Sequence, residues 1–124
     1  METPPTEPLN PVQVEQRIME LSNMIAAGVQ QVTNKLRAYR QADAAYDRAK
    51  AHAQLAADGK TVADREAEVE LATIDERDAK DFAEVEYSHV NRRVKAFEKE
   101  LDAIRSIGAN VRQMYSVAGR GEGA

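Results

Sequence analysis

All four prolines of this chain, Pro4, Pro5, Pro8 and Pro11, lie in its first eleven residues. Proline locks φ and has no amide hydrogen to donate, so it breaks helix interiors. Its absence from Val12 to Ala124 leaves room for helix over nearly the whole remaining length. The same chemistry makes residues 1–11 an extended or disordered arm. Pro11 suits the first turn of a following helix, with Asn10 as its N-cap.

The apolar pattern fills that room with helix. Val14, Ile18, Leu21, Ile25, Gly28, Val32, Leu36, Tyr39, Ala42, Tyr46, Ala49, Ala53 and Ala56 recur at steps of four and three, with a stutter around Leu36. A second series runs Tyr87, Val90, Val94, Phe97, Leu101, Ile104, Gly108, Val111, Tyr115, Ala118. Such spacing is the heptad signature of a buried helix seam. No run alternates with period two, so a sheet is not expected.

Between the two series stands Asp58-Gly59-Lys60-Thr61. Gly59 can take the left-handed conformation that ends a helix. Thr61 can cap a new helix, with Asp64 three residues on. Asp64, Glu66 and Glu68 complement the new helix dipole. Stop and start signals this close leave only a tight reversal. The expected fold is therefore all-α: an antiparallel two-helix hairpin, with helices over about 12–57 and 62–117 and a turn at 58–61. Residues 118–124, glycine-rich, are expected to form a flexible tail. A reversal centred near Gly59–Lys60 places residue i opposite roughly 119 − i. Large residues then meet large ones far from the turn, and alanines meet near it.

Charge is segregated beneath a net of −4. Residues 58–86 carry four basic and eleven acidic side chains, whereas 87–120 carry seven basic and three acidic ones. Lys35, Arg37, Arg40, Arg48 and Lys50 of the first helix are expected to face the acidic segment.

A two-helix hairpin buries one stripe per helix. Leu71, Ile74, Phe82, Val85, Ile107 and Met114 lie off that stripe, together with Met24 and Val29. Leaving several such side chains in water forfeits several kcal/mol at about 25 cal/mol per Å², against a net stability of only about 5–15 kcal/mol. Those first six are the expected oligomer interface. The simplest homo-oligomer is a dimer forming a four-helix bundle. Residues after about Ile107 run past the start of the first helix and need a partner of their own.

Chemistry is sparse. There is no cysteine, which excludes disulfides and thiolate metal sites. Glu86 and His89 have the Glu-x-x-His spacing of di-iron bundles, but a second such motif is missing and the other histidine, His52, lies far along the hairpin. No nucleophile-base-acid arrangement and no phosphate loop is recognisable. The expectation is no enzymatic activity, no metal and no cofactor. The segment METPPTEPLN lacks a basic region followed by an apolar core, and no apolar run reaches the roughly 18 residues of a membrane span. No membrane contact and a cytoplasmic location follow as expectations.

The basic segment carries the functional expectation. Arg92, Arg93, Lys95, Lys99, Arg105 and Arg112 can neutralise phosphates, and Tyr115 can stack on an unpaired base of single-stranded DNA. The bland alternative is that they are solvated or pair with Glu98, Glu100 and Asp102.

The run AYRQADAAYDRAKAHAQLAADGKTVADREAEVELATIDERDAKDFAEVEY, followed by LDAIRSIGANVRQMY, resembles small helical proteins of bacteriophages encoded beside single-strand annealing recombinases and single-strand binding proteins. The features that carry it are an Ala/Tyr-rich helix, the turn of Gly59, Thr61, Val62 and Ala63, and Leu101 with Ser106. It covers about residues 36–115. The resemblance implies an accessory role in DNA recombination or replication in the host cytoplasm, with a recombinase or single-strand binding protein as partner. A second reading stays open from the residues themselves. It is a coiled-coil protein-interaction module, such as a virion assembly factor, a chaperone or an inhibitor of a host protein, docking a partner on the stripe of Leu71, Ile74, Phe82 and Val85 without touching nucleic acid.

Overall fold

A computed structural model describes the backbone of residues 10–122 and the side chains of residues 10–119. The described residues are helical almost throughout, with three helices: α1 (Pro11–Ala56), α2 (Val62–Ala72) and α3 (Ile74–Glu122). The two long ones have 46 and 49 residues. Most of the arm expected over residues 1–11 lies outside the described residues.

The starts of α1 and α2 are capped as their sequence dictates. The Gln13 amide donates to Asn10 Oδ1 at 2.9 Å, and the Asn10 amide donates back to Gln13 Oε1 at 3.0 Å. This is a reciprocal capping box, with Pro11 at the position where a missing N–H costs nothing. At α2 the Asp64 amide donates to Thr61 Oγ1 at 3.0 Å, with Thr61 in extended conformation.

Two expectations need correction. Gly59 is not left-handed: among the described residues no glycine has positive φ. It is needed for closeness instead. A Cβ there would lie 2.8 Å from Asp64 Cβ and 3.0 Å from the Arg65 amide nitrogen. Side chains of α2 hold the segment in place of a C-cap: the Asp58 amide donates to Glu68 Oε2 at 3.0 Å, and Arg65 Nη1 donates to the Gly59 carbonyl at 2.9 Å.

The second long helix, expected unbroken over 62–117, is interrupted at Thr73. There φ is −120° and ψ 17°. The Thr73 hydroxyl donates to the Val69 carbonyl at 2.7 Å, the acceptor that the Thr73 amide would use in a regular helix. The amide bonds the Glu70 carbonyl instead, at 3.3 Å. A hydroxyl that competes for the carbonyl four residues back bends helices. Thr73 is only 2% exposed, the one buried polar residue among those described.

The α3 backbone is helical to Glu122, and the last two residues of the tail expected over 118–124 lie outside the described residues. Glycine lowers helix propensity by about 1 kcal/mol but does not block the next hydrogen bond as proline does.

The chain divides into two compact units. One joins the residues up to Ala27 with those from Arg93 onward. Its core is Val14, Leu21, Val94, Leu101 and Val111, all on the expected seams. Gly108 is buried here as well, and a Cβ on it would come within 2.8 Å of Val14 Cγ1. Arg17 pairs with Glu100 at 2.6 Å and Arg112 with Glu15 at 3.7 Å. Contact with α1 thus extends to Arg112, further than the expected limit near Ile107.

The other unit spans Gly28–Arg92. Its seam is half-buried from Val32 through Ala53, as expected of alanine and tyrosine positions. Tyr39 and Tyr87 approach with centroids 6.3 Å apart. Lys35 meets Glu86 at 3.1 Å. Lys80 meets Asp43 at 3.7 Å, with the polarity reversed from the expected pattern. Lys50 lies over the Tyr46 ring at 4.5 Å and beside Asp47 at 3.8 Å; it faces Glu66 and Glu70 of the acidic segment across a groove, with no ion pair to either. Among the described residues Arg37, Arg40 and Arg48 make no ion pair. Most of these contacts fall some residues beyond the 119 − i register, within the reach of long side chains leaning along a helix.

Candidate functional site

Helical periodicity dictates which side chains the seams leave outside. In α3, Ile74, Phe82 and Val85 are separated by eight and three residues, which returns them to one face, roughly 150° from the seam of Tyr87 and Val90. Leu71 precedes them on α2. Leu71, Phe82 and Val85 are 72%, 68% and 64% exposed, and Ile74 is 47% exposed. Carboxylates frame this stripe: Asp75, Asp78, Asp81 and Glu84 are all exposed. In the other unit Ile107 and Met114 are also exposed. Met114 lines a shallow, open hollow with Gln113, Val117 and Ala118. All six residues expected at an oligomer interface are therefore in solvent in the single chain.

The cations follow the same logic with a different result. Arg93, Lys95, Lys99, Arg105 and Arg112 are exposed, as is Tyr115. The helix does not gather them on one face. Lys95 and Lys99, four apart, share one side; Arg105 and Arg112, seven apart, share another, which Tyr115 borders. Arg92 belongs to the Gly28–Arg92 unit, where its Nε donates to the Ser88 carbonyl at 3.3 Å. Arg93 lies over the Phe97 ring at 5.5 Å.

Pairing with Glu98, Glu100 and Asp102 does not occur among the described residues. Glu100 is taken by Arg17, whose Nε and Nη2 both donate to its Oε1. These hydrogen bonds to Glu100, and a further one to Glu20, raise the Arg17 pKa above its ordinary value. Arg112 alone of the six candidate cations has an ion-pair partner among the described residues, and at 3.7 Å with both groups exposed it is a loose one.

One feature was missed in the sequence. Tyr46 and Lys50 of α1 and Val62, Arg65, Val69 and Thr73 line an open groove of about 420 Å³ beside the reversal. Thr73 falls opposite Tyr46 in the 119 − i register, which is the only signal that could have found it. Glu86, of the Glu-x-x-His pair, is committed to Lys35, and His89 is exposed. Among the described residues no three His, Cys, Asp or Glu side chains are grouped to hold a metal ion, and no helix is long and apolar enough to cross a membrane.

No protein-family model matches the chain, and neither the curated proteins nor the solved structures yield a match.

Proposed function

We propose that this chain is a non-enzymatic, phage-type accessory protein of DNA recombination or replication. It is a helical hairpin that self-associates through its outer apolar faces. Its basic α3 segment contacts single-stranded DNA or a DNA-bound recombinase or single-strand binding protein. The observation that carries the reading is the state of the cations: Arg93, Lys95, Lys99 and Arg105 stand in solvent with no ion pair to a described carboxylate. Cations not already neutralised are available to release counterions from a phosphate backbone. Tyr115, 59% exposed, is free to stack. The resemblance of residues 36–115 to phage proteins encoded beside annealing recombinases supplies the biological setting.

The test is fluorescence anisotropy with a labelled oligonucleotide across a salt series. Binding should weaken as salt rises, with a log–log slope of about 0.7 per phosphate contact on a single strand. The double reversal R92E/R93E should lower affinity and flatten the slope while leaving helicity unchanged. No binding at low salt removes direct DNA contact.

A second reading is favoured by the apolar stripe of Leu71, Ile74, Phe82 and Val85. In it the chain is a coiled-coil interaction module for another protein, with no nucleic-acid contact. The R92E/R93E variant separates the two, since it leaves a partner docked on that stripe in place.

A further inference from the structure

We propose that the chain associates head to tail through its Gly28–Arg92 unit. The acid-framed stripe of Leu71, Ile74, Phe82 and Val85 on one copy docks on the arginine-bearing outer face of α1 on the next. This rests on the self-association in the reading above and names its two faces. It uses none of the cations from Arg93 onward.

Spacing makes the α1 face. Arg37, Ala44 and Arg48 fall roughly opposite Tyr46 on the helix, with Arg40 on the flank. All four are exposed. A helical side chain meets those three and four places away. For Arg37 and Arg48 none of those places holds a carboxylate. For Arg40 only Asp43 does, and Lys80 holds Asp43 at 3.7 Å. The nearby Asp47 lies 3.8 Å from Lys50. The three arginines therefore stay unpaired among the described residues. Beside two of them is an open hollow of about 530 Å³, lined by Thr33, Leu36, Ala44, Arg37 and Arg40. It offers a bulky apolar side chain a seat next to two guanidinium groups.

The stripe supplies the matching part. Phe82, 68% exposed, is its bulkiest side chain. Asp78, one turn back, lies in the middle of the stripe, and Asp75 and Asp81 lie on its two flanks. The three carboxylates are exposed, and none has an ion pair among the described residues. Two stripes laid on each other would crowd these carboxylates together whichever way they ran, and like charges so placed are repelled. Against α1 the sign reverses. With Phe82 in the hollow, Asp78 and Asp81 come beside Arg37 and Arg40, and the apolar area of the stripe leaves water. In this unit α1 and α3 meet along their seams, as at Tyr39 and Tyr87, so the two faces look away from each other. An interface between different faces repeats from copy to copy and gives a ring or a filament, not a closed pair.

The experiment is sedimentation velocity of the full chain over a concentration series. Wild type should grow past a dimer as concentration rises. F82D spoils the stripe and R37E/R40E spoils the hollow. Each should weaken association at least about tenfold and keep the circular dichroism of wild type. Mixed in equal amounts, the two variants should form a dimer and stop there, because the F82D copy retains a hollow and the R37E/R40E copy retains a stripe. Arrest at a dimer is the signature of two different faces. A wild-type chain that remains monomeric at high micromolar concentration removes the self-association itself. A wild type that closes as a dimer, a mixture that stays monomeric, or an R37E/R40E chain that assembles like wild type overturns the head-to-tail pairing while leaving self-association standing.

Discussion

Arg17 on α1 reaches Glu100 on α3 with two donors on one oxygen: Nη2 at 2.6 Å and Nε at 3.0 Å from Oε1. This joins residues 83 apart in sequence and is the shortest ion pair found among the described residues. Both side chains are more than a third exposed, so solvent screens the pair. A double-mutant cycle with R17A and E100A should give a coupling energy of about 0.5–1 kcal/mol that shrinks with added salt. A coupling unchanged in 1 M salt would mean the contact acts through packing of the arginine stem.

Gly108 allows α1 and α3 to approach at Val14. Replacing it with alanine improves helix propensity by up to about 1 kcal/mol but drives a methyl to within 2.8 Å of a buried, β-branched neighbour. Overpacking of this kind costs about 1–3 kcal/mol. G108A should therefore lower the thermal midpoint, and V14A should blunt the effect of G108A when the two are combined. Gly119 is the control: nothing lies within 4 Å of its added Cβ, so G119A should be neutral or slightly stabilising.

Thr73 should prove to be the cause of the break between α2 and α3. In T73A the Val69 carbonyl loses the hydroxyl and can take back the amide of residue 73, so the helix should close across the junction. Backbone chemical shifts of residues 72–74 should move to helical values in T73A and stay non-helical in T73S, which keeps the hydroxyl. A break that persists in T73A would place its origin in the packing around Tyr46.

The reversal should depend on Glu68 and Gly59. E68A removes the acceptor of the Asp58 amide, and loss of such a charge-assisted bond costs about 1.5–3 kcal/mol when fully buried, less at this exposed site. G59A meets Asp64 Cβ at 2.8 Å and should destabilise by about 1–3 kcal/mol. Urea denaturation reads both. An unaffected midpoint in G59A would show that the loop relaxes freely.

These sites mark where the sequence could be read and where it could not. Val14, Leu21, Leu101 and Val111 were legible as core because a heptad leaves them no other face. Asn10 and Thr61 were legible as caps because a side-chain oxygen beside a helix start has an amide to accept from. Thr73 was not, since threonine is tolerated in helices and nothing in its local sequence announces its burial. Gly59 was found but given the wrong reason, because glycine serves both left-handed turns and close approaches. The exposed stripe followed from subtraction, once the seam was assigned. That the cations divide between faces of α3 was also available from their spacing, which a count of charges along the chain conceals.

The overrun of α3 past its last contacts with α1 has one more consequence. From Gln113 to Gly119 every side chain is exposed, and no residue of α1 neutralises or covers them. Seven residues are too few to begin a helix unaided, since nucleation is the costly step. They are ordered as a continuation of turns already wound beneath them, so their winding is borrowed. Such a stretch should unwind before the remainder on warming and exchange its amide hydrogens first, and whatever clasps Met114 and Tyr115 would decide how much of it stays wound.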